Sequence, residues 1–163
     1  GNDALVQSLL VRGASALAQD ELGNTPLHAA AQFAFAADDA AGSARMFDRL
    51  LDAGAPIDAP NRDGQTPLLL LLGAAAATGT RSPNRELGEL VGRLIHRGAD
   101  LDLQDRRGVS VLHAAAMHGM RDIAERLLKA GADPRRRDGL ARSAHEVAVL
   151  LGFVDLAALL KRD

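Results

Sequence analysis

The sequence DELGNTPLH at residues 20–28 contains the pattern that decides the fold, because it returns three more times along the chain. The later copies are NRDGQTPL at residues 61–68, DRRGVSVLH at residues 105–113 and, in shortened form, DGLARS at residues 138–143. A second phrase, ending in Gly-Ala, precedes each later copy. Because a recurring period of about 20 to 50 residues is typical of solenoids, the sequence predicts a stack of similar units.

Each unit carries start and stop signals for helices. Thr25 is a residue type that accepts hydrogen bonds from free amides at a helix start, and Pro26 suits the first helical position because no donor is lost there. A left-handed residue is favoured where a helix ends, and glycine follows three apolar stretches, at Gly54, Gly98 and Gly131. One unit cannot bury its apolar face alone. We therefore expect equivalent side chains of neighbouring units to stack, namely Leu27, Leu68, Leu112, Leu51, Ile95 and Leu128.

These phrases resemble the ankyrin repeat, whose signature is a D-x-x-G-x-T-P-L-H turn and helix followed by a helix that ends L-L-x-x-G-A. The resemblance covers nearly the whole chain and implies an all-α repeat solenoid with short β-turn fingers. On this basis the chain is one domain, divided into a partial repeat (1–19), two repeats with insertions (20–60 and 61–104), a regular repeat (105–137) and a C-terminal capping repeat (138–163). Residues 3–12 resemble the second helix of a repeat whose first half is missing, which is typical of a fragment.

The spacing of the copies locates the two insertions. Positions 105 and 138 lie 33 residues apart, the ankyrin period, whereas the two earlier spacings are 41 and 44 residues, so the insertions are 8 and 11 residues long. Aligning Gly42 with Gly119 places the first insertion between residues 31 and 42, and the second lies at about residues 73–86. Alanine dominates both and favours helix, so we expect an extended first helix in each repeat. Ser82-Pro83 then begins a lengthened second helix, and the two insertions lie side by side, where they serve recognition or stability.

Composition indicates a soluble globular protein, with 47% hydrophobic and 25% charged residues. No apolar run approaches the roughly 18 residues of a membrane helix, so we expect no membrane insertion. The absence of cysteine excludes disulfides and thiolate chemistry but does not assign a cellular compartment. Residues 1–60 sum to a net charge of −5 and residues 61–163 to +3, an imbalance of a size that solvated surfaces often produce by chance.

Histidines at the T-P-L-H position have a structural role in the ankyrin family. The resemblance therefore implies that His28 and His113 hydrogen-bond between neighbouring turns rather than act in catalysis. Leu69 and Glu146 occupy this position in the other two copies. Because Leu69 has no hydrogen-bonding group, we expect the second and third fingers to be less firmly joined.

Three patterns in the sequence have a partial likeness to chemical sites. His113 and His118 lie five residues apart in the sequence, which places their side chains about 140° apart around a helix. We therefore do not expect them to share a metal ion. Residues 73–80 have a superficial phosphate-loop pattern but lack its lysine. Arg135-Arg136-Arg137 with Arg106-Arg107 would form a basic stripe, yet neighbouring aspartates neutralise much of it and the four aromatic residues offer little base stacking. We expect no nucleic-acid partner.

Phe33 and Phe35 cannot both face the core, because they lie about 240° and about 80° from Leu27 on an ideal helix. One of them should be exposed. It is then either covered by the lengthened helix of the next repeat or available as a contact, since exposed apolar patches usually mark contacts.

The resemblance implies a non-catalytic module that binds a protein partner through the fingertips and the concave face of the first helices. The candidate partner-binding residues are Arg62, Asp63, Gln65, Arg106, Arg107, Met117, His118 and Phe33. We expect a monomer with no cofactor, no metal and no enzymatic activity, since no spacing assembles a nucleophile, a base and an orienting group. The alternatives are a regulatory or structural segment of a larger protein and, with less support, an enzyme with an unrecognised site.

Overall fold

The computed structural model describes residues 2–35, 39–77 and 83–161. Within these ranges the chain forms nine helices, numbered in chain order: α1 (Asn2–Val11), α2 (Pro26–Gln32), α3 (Ala40–Asp52), α4 (Pro67–Ala77), α5 (Pro83–His96), α6 (Val111–Met117), α7 (Arg121–Lys129), α8 (Ala144–Leu150) and α9 (Val154–Leu160). The described residues contain no strand beyond one isolated antiparallel bridge between Arg137 and Ser143. None of these helices is long and apolar enough to cross a membrane.

The helices form two stacked layers. In one layer α2, α4, α6 and α8 pack side by side, and we call these the first helices. In the other layer α1, α3, α5, α7 and α9 pack in the same order as the second helices. Each first helix also packs on the second helix that follows it in the chain. The predicted all-α repeat solenoid is therefore confirmed.

The residues predicted to start and end helices lie at helix ends in the structure. Thr25 precedes α2, and its backbone N–H donates to His28 Nδ1 at 3.1 Å. Gly54 follows α3 with φ of 84°, and the next amide, that of Ala55, donates to Leu50 O at 2.9 Å. Both arrangements satisfy backbone groups that a helix end would otherwise leave unpaired.

The core lies between the two layers and runs along the whole stack. Phe47 is its largest fully buried side chain. The leucines expected to stack are buried at 0–8% exposure, namely Leu27, Leu68, Leu112 and Leu128, while Leu51 and Ile95 are half-buried against the same cluster. Burial of equivalent positions in successive repeats is what makes each repeat depend on its neighbours.

The first insertion does not extend the first helix, so that expectation is wrong. Helix α2 ends at Gln32, and residues 33–35 form a turn. Gly42 does not match the turn residue Gly119, which has φ of 65°; it lies in the first turn of α3 and donates its N–H to Asp39 Oδ1 at 2.8 Å. The extra helical residues belong to the second helix, since α3 has 13 residues and α7 has nine.

The second insertion lengthens both helices of its repeat, as predicted. Helix α4 has 11 residues, against seven in α6, and α5 has 14 residues and begins at Pro83. Ser82, the expected cap of α5, and part of the 73–80 segment lie outside the described residues. The two insertion-bearing repeats meet at the surface, where Phe33 and Phe35 line the same depression as Gly73 and Ala74.

Candidate protein-binding surface

Four tight turns, at residues 20–24, 61–65, 105–109 and 138–142, form a row that we call the fingers. Backbone bonds join each finger to the next: Arg62 N–H donates to Leu22 O at 2.9 Å, Arg106 N–H to Asp63 O at 3.0 Å and Gly139 N–H to Arg107 O at 2.7 Å. The first residue of each finger accepts bonds from amides of the same turn, as Asp105 does from Arg107 and Val109. These carboxyl and amide side chains shape the fingers, and the second and third residues project outward.

Histidines join α2 and α6 to the following fingers. His28 Nδ1 lies 2.9 Å from Thr25 Oγ1, and His28 Nε2 lies 2.9 Å from Gln65 O. His113 makes the equivalent contacts with Ser110 Oγ at 2.8 Å and Arg142 O at 2.9 Å. Burial lowers the pKa of His28, although its bond to Gln65 O acts in the opposite direction. With both ring nitrogens engaged in the fold, these two imidazoles have no free atom for acid–base chemistry.

The fingers carry four of the candidate residues, and Arg62, Asp63, Arg106 and Arg107 are all exposed. Arg107 Nη2 lies 2.8 Å from Asp105 Oδ2, so its charge is compensated within its own finger. Among the described residues, Arg62, Asp63 and Arg106 form no ion pair. Two guanidinium groups and one carboxylate are thus available to a partner on neighbouring fingers.

Each arginine of the basic run at residues 135–137 has its positive charge compensated by a separate carboxylate. Arg135 Nε lies 3.0 Å from Asp133 Oδ1, Arg136 Nη2 lies 4.0 Å from Asp102 Oδ2, and Arg137 Nη1 lies 3.3 Å from Glu146 Oε2. The arginines alternate with acids and do not form a continuous positive stripe. This charge pattern does not favour phosphate backbones, which attract uncompensated Lys and Arg.

The exposed residues of the first helices and the turns that follow them form a surface that we call the first-helix face. Phe33 is 60% exposed here, whereas Phe35 is half-buried against the core, so one phenylalanine is exposed as predicted. Met117 is 39% exposed on the same face, and His118 is also exposed. Exposed apolar side chains on one face usually mark a contact surface.

A depression of about 440 Å³, which we call the hollow, lies on the first-helix face between α2 and α4. Its floor and walls come from α4 and from the turn after α2, with Leu70, Gly73, Ala74, Ala77 and the two phenylalanines among the lining residues. Gln65 lines its edge nearest the fingers. The lengthened helix α4 therefore does not cover Phe33, and small residues leave an apolar hollow beside it.

His118 and His113, the pair weighed as a metal site, differ in their surroundings. His113 is 1% exposed and tied into the fold, whereas His118 is at the C-terminal end of α6 and exposed. Partial burial lowers the pKa of His118. Among the described residues no group of three or more His, Asp and Glu side chains is placed to hold a metal ion.

Sequence reasoning missed an apolar extension of the first-helix face in the last repeat. Leu150 and Leu151 are 68% and 52% exposed, and they occupy the repeat positions of Met117 and His118. The signal was present in the sequence, because Ser143 aligns with Ser110 and fixes the register of α8 on α6.

Comparisons with known proteins agree with this geometry. A family model of three ankyrin repeats matches residues 72–163, and a model of a single ankyrin repeat matches residues 22–62. The chain belongs to the ankyrin-repeat family. Ankyrin repeats are in general protein–protein interaction modules.

Relatives of this ankyrin chain are much longer proteins. The E3 ubiquitin-protein ligase KEG of Arabidopsis thaliana is 31% identical over 98% of this chain and 8% of its own length. The neurogenic locus notch homolog protein 1 of Homo sapiens is 36% identical over 53% of this chain, and the Notch protein of Drosophila melanogaster is 33% identical over 66%; each match covers 4% of the relative. The chain thus spans less than a tenth of the length of these relatives.

Proposed function

We propose that this chain is a non-catalytic module that binds a protein partner across the fingers and the first-helix face. The observation that carries the proposal is the apolar hollow beside the exposed Phe33, with Gln65 at its edge. The fingers also expose Arg62 and Arg106, which form no ion pair among the described residues. Apolar anchors surrounded by polar groups are the usual composition of a protein-binding site. The candidate residues Arg62, Asp63, Gln65, Arg106, Arg107, Met117, His118 and Phe33 form this proposed site.

Each part of the proposed site has a different role. The hollow accepts an apolar side chain of the partner, which loses contact with water there. Gln65 offers an amide that makes no other side-chain hydrogen bond among the described residues, and so it can fix a partner's backbone. Arg62 and Arg106 select for negative charge and raise the rate of encounter.

The polypeptide that contains this chain determines what the binding achieves. Because the relatives are many times longer than this chain, a regulatory or structural role within a larger protein is the second candidate. One relative bears the name of a ubiquitin ligase, so an activity elsewhere in the same polypeptide is compatible with a non-catalytic ankyrin segment. No cofactor or nucleic acid is assigned to the chain, and it acts as a monomer in this proposal.

Comparative affinity capture tests the proposed surface. Phe33→Asp places a charge at the edge of the hollow, and Val11→Asp makes the same kind of change at an 81% exposed position of α1, away from that face. We expect the original chain and Val11→Asp to capture the same protein, and Phe33→Asp to lose it with an unchanged melting temperature. Capture of the same protein in the same amount by all three chains would reject the first-helix face as the binding surface.

A further inference from the structure

The joint between the second and third fingers is held by fewer side-chain bonds than the finger joints on either side of it. We number the fingers 1 to 4 in chain order, so that finger 2 precedes α4 and finger 3 precedes α6. At each of the three joints one backbone bond links neighbouring fingers, donated by the N–H groups of Arg62, Arg106 and Gly139. The joints differ in the side chains that add to this bond.

Two side chains reinforce the joint between fingers 1 and 2. His28 Nε2 lies 2.9 Å from Gln65 O, which ends finger 2. Asn61 Nδ2 donates to Asn24 Oδ1 at 3.0 Å, from finger 2 to finger 1. Finger 2 is therefore tied both to α2 and to the finger before it.

Two side chains of the same kinds reinforce the joint between fingers 3 and 4. His113 Nε2 lies 2.9 Å from Arg142 O, which ends finger 4. Gln104, directly before finger 3, donates from Nε2 to Arg137 O at 2.8 Å, directly before finger 4. One imidazole and one amide thus act at each of these two joints.

The turns that lead into the fingers supply one further bond to each of the two later joints. Both carboxylate oxygens of Asp58 lie 3.1 Å from Asp100 N, and Asp102 Oδ1 accepts from Asp133 N–H at 2.8 Å. The first of these bonds precedes fingers 2 and 3, and the second precedes fingers 3 and 4. Within the described part of the chain, the Asp58 bond and the backbone bond of Arg106 are the hydrogen bonds that cross the joint between fingers 2 and 3.

Two residues account for the missing ties at this joint. Leu69 takes the histidine position in α4 and has no donor for Val109 O, which accepts only Asp105 N–H among the residues described. Pro60 takes the position of Gln104, directly before a finger, and has no side-chain amide. The imidazole and the amide are therefore both absent from this joint.

The helices on the two sides of this joint pack without ion pairs. Helix α4 packs on α6 and α5 on α7. Across the described residues no ion pair joins α5 to α7 or α7 to α9, whereas Arg93 of α5 pairs with Asp48 of α3. Apolar contacts are non-directional, while hydrogen bonds weaken steeply as they bend. The angle at this joint can therefore change while the apolar core stays buried.

We propose that the finger row opens between fingers 2 and 3, so that the parts of the chain before and after this joint move as two bodies. Its consequence for binding rests on the proposed function. The joint divides the proposed site into two groups of residues, with Phe33, Arg62, Asp63 and Gln65 before it and Arg106, Arg107, Met117 and His118 after it. Opening adjusts the distance between the two groups to the shape of a partner, and a partner that contacts both groups fixes that distance.

Amide hydrogen exchange, followed by NMR on the full chain, tests the opening without a partner. The N–H groups of Arg62, Arg106 and Gly139 report on one joint each, once every rate is divided by that of the same sequence in an unstructured peptide. We expect Arg106 N–H to exchange about tenfold faster than the other two, the scale that one or two hydrogen bonds contribute to local opening. Fraying from the ends would give the opposite order. Equal or slower exchange of Arg106 N–H would overturn the proposal.

Two substitutions restore the missing ties. Leu69→His places an imidazole beside Val109 O, and Pro60→Gln places an amide where Gln104 stands one finger later. Each should slow Arg106 N–H by about tenfold and leave the reporters of the other joints unchanged. Leu69→Met adds no donor and should change none of the three rates. Should Leu69→His not fold, Pro60→Gln at its exposed position decides, and an unchanged Arg106 rate in that folded variant rejects the proposal.

Distances between fingers give a second measurement. The chain has no cysteine, so introduced cysteines at exposed finger positions can carry spin labels. The pair Arg62→Cys and Arg106→Cys spans the joint between fingers 2 and 3, and the pair Glu21→Cys and Arg62→Cys spans the joint before it. We expect the broader distance distribution for the first pair, and Leu69→His should narrow it. Equal widths would contradict motion as two bodies. Neither measurement uses a partner, so a failure of the proposed function would leave these results unchanged.

Discussion

His28 Nε2 lies 2.9 Å from the carbonyl oxygen of Gln65, and this contact joins helix α2 to the finger of the next repeat. The bond is buried at its histidine end, where the side chain is 0% exposed. Leu69 takes the same position in α4 and offers no donor to the following finger. Among the described residues, histidine therefore joins a first helix to the following finger after α2 and after α6, and not after α4.

Replacing His28 by Leu should lower the free energy of unfolding by about 1–3 kcal/mol, because it removes the bond to Gln65 O and leaves Thr25 without its partner. Urea titration measures the loss. Hydrogen exchange should accelerate at residues 61–65 and stay unchanged at residues 105–109, which His28 does not contact. Equal acceleration in both fingers would contradict a local tie.

Stability should fall as the pH decreases below the ordinary histidine range. Burial lowers the pKa of His28 in the folded chain, so the unfolded chain takes up a proton at a higher pH than the folded chain does. The stabilisation is complete above the ordinary pKa of about 6.5 and is lost as the pH falls through that value toward the lower folded pKa. Burial acts in the same direction on His118.

Titration of the imidazole signals by NMR measures this effect directly, and we expect the midpoint of His28 below about 6.5. Urea unfolding at pH 8 and pH 5.5 gives the consequence for stability. The difference between the two pH values should be smaller in the His28→Leu variant. A midpoint above the ordinary value would reverse the sign and show that the bond to Gln65 outweighs burial.

Glycine is required at the fourth position of a finger where another finger packs against it. Gly108 has φ of 74°, and a Cβ added to it would lie 2.6 Å from Gly139 N in the next finger. Ala141 holds the same position in the last finger with φ of 59°, and no further finger follows it within the described chain. The left-handed conformation is thus needed in each finger, and the absence of a side chain is needed only where another finger packs.

Ala141→Gly should therefore stabilise the chain, by about 0.5–1 kcal/mol, because a left-handed alanine carries a strain of roughly 1–2 kcal/mol that the greater freedom of unfolded glycine partly offsets. Gly108→Ala should destabilise it by more than this amount, since it adds a steric clash to the same strain. Thermal unfolding of both variants checks the pair. A loss of stability in Ala141→Gly would show that its φ is not a source of strain.

The repeat pattern predicted the stack and its core because glycine, proline and hydroxyl residues have the same structural role in every copy. The pattern did not predict which helix takes up an insertion. Residues 34–41 are mostly alanine, which favours an extension of α2 and an extension of α3 equally well. Asp39 favours the extension of α3, because its side chain caps that helix by accepting from Gly42 N–H. Exposure of one phenylalanine was predicted correctly, although both lie in or at the edge of a turn and not on an extended helix.

Leu128→Ala should cost about 2–5 kcal/mol, because the side chain is 8% exposed and packs in the core between neighbouring second helices. Arg106→Ala should change stability by less than about 0.5 kcal/mol, since Arg106 is exposed and has no ion-pair partner among the described residues. Urea titration of both variants checks the repeat register. Similar losses for the two would mean that Leu128 does not face the stack.

Substitutions at two helical glycines distinguish an effect on stability from an effect on partner binding. Gly73 lies in α4 on the floor of the hollow beside Phe33, and Gly92 lies in α5 in the other layer. A Cβ added at either position would meet nothing within 4 Å. Replacing glycine inside a helix removes a conformational cost of about 0.5–1 kcal/mol, so Gly73→Met and Gly92→Met should both raise the melting temperature.

The two variants should differ in binding. Methionine at position 73 occupies the hollow that we assign to an apolar side chain of the partner, whereas methionine at position 92 leaves the first-helix face unchanged. Quantitative capture should therefore recover the same protein with the original chain and with Gly92→Met, and much less of it with Gly73→Met. If Gly73→Met keeps full capture while gaining stability, the hollow does not receive the partner. If both variants lose capture equally, the loss comes from rigidity of the helices and not from the filled hollow.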